Sequence, residues 1–487
     1  MKEAIQGLEP QLLWDHFYHI SQIPRCSKHE GQVREYVLEV AKRNGLEHEM
    51  DSAGNVVVKR PATSGYENKP VVVLQSHLDM VCEKNRSTQH DFSKNPIKLK
   101  REHDWVTAEG TTLGSDNGIG VAASLAVLEG KNVKHGPLEF LFTISEETGL
   151  TGAKNLANDM VKGRILINMD SEEDGALFIG CAGGKDTELF LKLEAESPPS
   201  GYRAVRVRVG GLQGGHSGLN IHEGRGNAIK LLTRFLWKQA PQLDLYQASI
   251  DGGSKHNAIP RECDALVCLP GERVADLKNA AAEYDRDYKN EYSLIDPDVF
   301  ISIDDDGFSK PDKVFTADLQ NRLLNLLYSL PHGVIAMSHA VPGLVETSTN
   351  LAVVQTGDSR ISLVTSQRSS VQSELIDIAD MVCAVGHQTG AEVHQGNGYP
   401  PWSPNPDSPT LNIARSVFKG LFDHEPEVKA VHAGLECAII GDKFPGMDMI
   451  SFGPTILGAH SPDERMQIST VKKFWDFLVA MLERLAA

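Results

Sequence analysis

In VVVLQSHLDM (residues 71–80), VVVLQS (71–76) reads as a short, continuous apolar run, and just past it stand a histidine and an aspartate two residues apart. A run this continuous and rich in β-branched residues suits a strand covered on both faces, as in a parallel sheet sheathed by helices. Outward from it, GNVVVKR (54–60), PLEFLFTI (137–144) and RILINMD (164–170) read as further strands, with GIGVAASLAVLEG (118–130) as an intervening helix. Upstream, apolar residues recur at helical spacing from Pro10 to Gly45, with a break at Pro24. Strands alternating with helices predict an α/β fold with a mainly parallel central sheet.

Near residue 185 the texture changes. YRAVRVRV (202–209) alternates apolar and polar side chains, the pattern of a sheet with one wet face. NAIKLLTRFLWK (227–238) reads as an amphipathic helix, 246–253 and 261–270 as strands, and 275–292 as a charged helix. A similar series follows, with helices at 316–330 and 373–389 and strands near 344–355, 360–367 and 391–396. Residues 185–398 therefore read as an α+β lid domain with antiparallel sheets, built as two α+β units. After GNGYPPW (396–402) the first texture returns, with helices at 409–422, 435–441 and 468–486 and strands at 428–434 and 447–453. The expected organisation is a discontinuous first domain, 1–184 and 399–487, interrupted by the lid.

A chain of 487 residues is too long for one ordinary core, which agrees with that division. A net charge of −17 argues against nucleic acid or an anionic membrane as partner, because phosphates are repelled. No apolar run approaches the ~18 residues that cross a bilayer, and the N-terminus lacks the apolar core of a signal peptide. The expected location is the cytoplasm. Seven cysteines without a CxxC pair read as reduced thiols rather than a disulfide framework.

Five short stretches can carry chemistry. His77 and Asp79 follow a buried strand, where open α/β sheets place their ligand sites. Asp116 lies in the Gly-flanked turn TTLGSDNGIG (111–120), just before a helix. Glu146 and Glu147 adjoin at the end of another strand, and two such carboxylates repel unless a cation or a proton intervenes. Asp170 ends a third strand, and His460 follows a Gly-rich stretch in GPTILGAHSPDE (453–464). Each alone has an ordinary explanation: a surface turn, a helix cap, a solvated acidic turn, a loop histidine. Their coincidence at one sheet edge is what carries information. Two imidazoles and three carboxylates suffice for two Zn²⁺ ions with one carboxylate bridging, and a fourth acid is left to move protons.

The ordered set QSHLDM, LGSDNGIG, SEETG, NMDSEE and GAHSPDE resembles the bacterial aminoacyl-histidine dipeptidases, relatives of carnosinase among the co-catalytic zinc exopeptidases and amidohydrolases. The likeness runs from LWDHF through GCAGGKD, GGHSG, NAIPRE and HAGLEC to the C-terminal helix, over nearly the whole chain. It implies a zinc-exopeptidase-like catalytic domain, with the lid also serving substrate binding or a homodimer contact. Two zinc ions per subunit are implied, with Co²⁺ or Mn²⁺ as substitutes, held by His77, Asp116, Glu147, Asp170 and His460, with Asp116 bridging. Asp79 would orient His77, and Glu146 would be the general base toward a hydroxide bridging the metals. Aspartate at position 170 goes with dipeptidases and aminopeptidases in that group. From the lid, the resemblance implies His216 as oxyanion donor and Asn257 as a substrate contact. Arg368, in TSQRSS after an expected strand, is the candidate clamp for a substrate carboxylate. The implied activity is hydrolysis of dipeptides with a free N-terminus, Xaa-His above all. The rivals are a tripeptide aminopeptidase or N-acyl amino acid deacylase of the same fold, and a non-catalytic metal-binding protein.

Overall fold

The computed structural model describes residues 2–487. The chain forms two compact units: Met1–Cys181 with Pro404–Ala430 and Leu435–Ala487, and Ala182–Ser403 with Val431–Gly434.

In the first unit, Val72–His77 is buried along its whole length, as a strand with two covered faces must be. Its neighbours Leu138–Thr143 and Ile165–Asn168 run parallel to it, and Asp448–Ser451 extends the parallel stretch beyond Ile165–Asn168. The remaining strands of this eight-stranded sheet lie outside these four. Val56–Arg60 and Ala176–Cys181 join them antiparallel. The sheet is thus parallel at its centre and antiparallel toward its edges. Ser115–Glu129 is buried nearly throughout, and the Gln11–Ser21 helix packs against it. Helices Pro409–Phe422 and Ile468–Ala486 meet through Phe418 and Phe477, ring centroids 5.4 Å apart. Each such buried side chain contributes about 1.5–3 kcal/mol relative to exposure.

The register matters more for function than the core does. His77 lies opposite Thr143, and Gln75 lies opposite Asn168, which in turn faces Ser451. Parallel strands in this register end at one edge, so residues just past them converge. A separate four-stranded antiparallel sheet contains Ile456–Leu457 and Arg465–Gln467, paired as a hairpin. His460 sits in its tip with φ 63°, where the sequence showed only a Gly-rich loop.

The second unit holds its two α+β series of elements on a shared sheet. Both series contribute to one antiparallel nine-stranded sheet, joined where Asp251 pairs with Gln355 and Gly252 with Val354. Gly183–Lys192 and Arg360–Ser369 are its longest shared ladder. The expected reduced state of the cysteines needs correction. Cys26 and Cys82 form a disulfide, with Cα atoms 5.7 Å apart, while Cys181, Cys263, Cys268, Cys383 and Cys437 are free. The two lie 56 residues apart, and Cys26 also forms a β-bridge to Met80 just past the central strand. Among the described residues, no helix is long and apolar enough to cross a membrane.

Candidate metal centre

The sheet edge of the first unit gathers His77, Asp116, Glu147, Asp170 and His460. His77 Nε2 is 3.0 Å from Asp116 Oδ1 and 3.2 Å from Asp170 Oδ1. His460 Nε2 is 3.0 Å from Asp116 Oδ2 and 3.0 Å from Glu147 Oε2. The two oxygens of Asp116 therefore face different imidazoles. His77, Asp116 and Asp170 have donor atoms within 4.8 Å of one another, as do Asp116, Glu147 and His460. The union of the two groups is the implied ligand set, and Asp116 is its shared member. A third group, His77 with Glu146 and Glu147, brings the candidate base within the same reach.

The backbone of the Asp116 turn is tightly constrained. Gly114 has φ 71°, and a Cβ there would lie 2.7 Å from Met80 Sδ, so only glycine fits. Asp116 does not cap the Ser115–Glu129 helix: its own φ/ψ is non-helical, and its carboxylate points to the imidazoles. The cap comes from far along the chain. Glu464 accepts the N–H groups of Leu113 at 2.8 Å, Gly114 at 3.0 Å and Ser115 at 2.8 Å, and the Ser115 hydroxyl at 2.6 Å.

Asp79 serves two groups at once. Its Oδ1 lies 3.4 Å from His77 Nδ1, and its carboxylate accepts the N–H of Glu146 at 3.0 Å and of Glu147 at 3.2 Å. It thus orients an imidazole and docks the turn that carries both glutamates.

The electrostatics call for positive charge. Burial pushes the Glu146 carboxyl well up, with Asp170, Glu147 and Glu436 adding to it against His77. Burial likewise raises Glu147, and it raises Asp170 to about 6. Burial works upward on Asp116 too, but hydrogen bonds from His460 and His77 outweigh it and hold that carboxyl well below the usual range. His460, hydrogen-bonded to Asp116 and Glu147, is pushed up to about 11. A bound cation would relieve this crowding of buried carboxylates, part of which protons on the carboxyls and imidazoles relieve without it. Glu147 Oε1 is buried without a hydrogen-bond partner, as a ligand atom awaiting a metal would be. Nitrogen and oxygen donors in two triads fit a pair of divalent ions.

In the second unit, His216 lies in a two-residue strand paired with Ala258–Ile259. Its Nδ1 accepts the N–H groups of Gly218 and Leu219, both at 3.1 Å, which leaves the proton of the neutral ring on Nε2. Burial, with Arg368 and His256 nearby, lowers its pKa to about 4, so at neutral pH it is an uncharged donor. Asn257 accepts the Ser217 N–H through its backbone carbonyl, at the same turn. Arg368 is buried rather than a surface decoration, and it donates to the Tyr399 hydroxyl at 2.9 Å.

A model of the peptidase family described as M20/M25/M40 matches residues 73–484. The chain belongs to this family. The peptidase is 42% identical over 487 residues, all of both chains, to the cytosol non-specific dipeptidase of Escherichia coli strain K12. It superposes on the aminoacylhistidine dipeptidase of Vibrio alginolyticus with TM-score 0.90 and 43% identity, covering 99% of each chain. An aminopeptidase of Bacillus cereus, at 15% identity and TM-score 0.57 over 99% of this chain and 100% of that one, shares the fold.

Several residues of this peptidase escaped the sequence reading. Arg25, fully within the core, donates to the carbonyls of Leu78 and Asp79 at 3.0 and 2.8 Å, and also to that of Gly114. Glu436, in HAGLEC, accepts from Gln75 and Thr143 at 2.6 Å each, beneath two of the strand ends, and burial raises it to about 7. His432, from the same stretch, meets Ser348 at 2.7 Å in the second unit. Glu464 follows His460 by four residues, and only its place in the motif hinted at it. Glu464→Gln turns an amide N–H₂ toward N–H donors, so it is expected to loosen both the Asp116 turn and the His460 hairpin. Metal affinity should fall about 10- to 100-fold in a competitive chelator titration. Wild-type affinity in that variant would show that the turn holds its shape without this carboxylate.

Proposed function

We propose that the peptidase cleaves dipeptides with a free N-terminus, Xaa-His (carnosine-like) dipeptides among them, using two zinc ions held by His77, Asp116, Glu147, Asp170 and His460. The observation that carries this reading is the division of Asp116 between His77 and His460, which makes two ligand triads from five side chains. The names of the two relatives, one non-specific and one aminoacylhistidine, support dipeptides as the substrate class with histidine accepted in the second position. The first of these names also supports the cytoplasm as its location.

In this reading the metal ligands and Glu146 carry the chemistry, and His216, Asn257 and Arg368 serve the substrate. Bound zinc supplies Lewis acidity toward a peptide carbonyl and toward water. Glu146 takes the proton from the attacking water and hands it to the departing amine nitrogen. Asp79 keeps His77 oriented while it does so. His216 donates its Nε2–H to the oxygen on which charge develops, a bond made only in the transition state. Arg368 pairs with the substrate carboxylate, and Asn257 helps hold the substrate.

The test is a substrate panel on zinc-loaded protein, with zinc, cobalt and manganese compared after chelation. Xaa-His and other dipeptides are expected to show kcat/KM at least about tenfold above tripeptides and N-acyl amino acids. Preference for N-acyl substrates would replace this reading with the deacylase one. Full activity after exhaustive chelation would remove the metal from it.

A further inference from the structure

The disulfide lies against the support of the metal centre. Three consecutive residues, Arg25, Cys26 and Ser27, each touch the stretch Leu78–Met80. Arg25 donates to the Leu78 and Asp79 carbonyls, Cys26 bridges to Met80, and Ser27 donates to Asp79 Oδ2 at 2.7 Å. Asp79 then receives the N–H groups of Glu146 and Glu147. The Cys26–Cys82 bond ties the two ends of this strip together covalently. Both cysteines are only half-buried, whereas Cys181, Cys263, Cys268 and Cys437 are buried.

We propose that Cys26–Cys82 is a reversible thiol–disulfide site that locks the Asp79 support when oxidised and loosens it when reduced. The co-reactant class is a small dithiol, or in the other direction a small disulfide. A thiolate of the dithiol attacks one sulfur, the protein S–S bond breaks, and a mixed disulfide forms. The second thiol of the reagent then displaces the protein sulfur. Two electrons and two protons end on Cys26 and Cys82, and the reagent leaves as its disulfide. In a reducing compartment the pair sits as thiols, and an oxidising episode closes it.

Opening the bond has two consequences. The unfolded chain is no longer constrained by a loop of 56 residues, so the first unit loses thermal stability. The strip at Asp79 is left to hydrogen bonds alone, so the glutamate turn fluctuates more and metal leaves faster. The second consequence rests on the proposed metal assignment, while the first does not.

The full chain, purified without reductant, is alkylated before and after treatment with a water-soluble phosphine and mapped by mass spectrometry. The phosphine takes the oxygen of water to become its oxide and carries no paired thiols to strip zinc. Residues 26 and 82 are expected to be blocked before reduction and alkylated after it. The melting midpoint of the metal-free protein should fall on the order of 5 °C on reduction. Zinc loss to a chelator should become several-fold faster, and oxidised glutathione should restore both values. The C26S/C82S variant should behave as the reduced protein does and ignore the phosphine. If that variant folds poorly, reduction of the wild-type chain gives the same comparison. The proposal fails if both thiols stay alkylatable after oxidised glutathione. It fails equally if reduction moves neither the midpoint nor the rate of zinc loss. A lowered midpoint with unchanged zinc loss would keep the staple and refute its coupling to the metal site.

Discussion

Replacing Glu146 with glutamine is expected to lower kcat on the order of 10³- to 10⁴-fold while zinc content stays near that of the wild type. The loss corresponds to about 4–5.5 kcal/mol of transition-state stabilisation. Glutamine keeps the volume and one acceptor oxygen but cannot accept a proton. Burial, with Asp170, Glu147 and Glu436, pushes the carboxyl it replaces well up against the pull of His77, and a bound cation would return it to the ionised form that accepts a proton. Because the proton moves only on the way to the transition state, kcat and kcat/KM should fall together and KM should change little. The metal measurement decides between two roles. Glu146 stands within ligand distance of His77 and Glu147 in one of the three clusters. If the variant loses a zinc ion along with activity, Glu146 is a ligand and the base must be sought elsewhere. Retained turnover with full metal would remove it from the chemistry altogether.

What the sequence could reveal follows from the range of the forces involved. A strand covered on both faces must be apolar throughout, so Val72–His77 is legible from a few neighbouring letters. The strand's end is legible too, and with it His77 and Asp79. Parallel register then places Glu146, Glu147 and Asp170 at the same edge without any further signal. Glu464 is different. Its role exists only because a hairpin some 350 residues downstream closes onto Leu113–Asp116, and beyond its place in the motif after His460 the glutamate carries no mark of such a contact. Arg25 and Glu436 are hidden for the same reason: a buried charge reads as a surface one until its partners are known. Cys26 and Cys82 likewise lack a spacing pattern, since their approach is set by where the first loop meets the central strand. In the second unit, alternation identified the strands, but Asp251 and Gln355 meet edge to edge across about a hundred residues. Nothing periodic announces that two modules share one sheet.

Asp116→Asn is expected to have the broadest effect, because one side chain serves both triads. The amide keeps a single ligand oxygen, so one site loses a donor outright and the other loses the negative charge that favoured it. On the proposed two-zinc site, tightly held zinc should fall from two ions per chain to at most one, and turnover should fall by at least about 10³-fold, since neither ion alone would both bind substrate and activate water. The proton balance supplies a second readout. In the wild type, His460 is raised to about 11 by its hydrogen bonds to Asp116 and Glu147, so without metal it is protonated at neutral pH. A metal ion must displace that proton, so apparent affinity rises with pH between 6 and 8, by about tenfold per unit for each proton released. Lowering the pH therefore weakens binding. With asparagine at position 116 the strongest support of the His460 proton is gone, so fewer protons leave on binding and the slope flattens. Calorimetry of zinc uptake in two buffers of different ionisation enthalpy measures that proton count directly. A variant that still binds two ions, with the wild-type slope, would show that Asp116 does not bridge, and the two triads would have to be drawn without a common member.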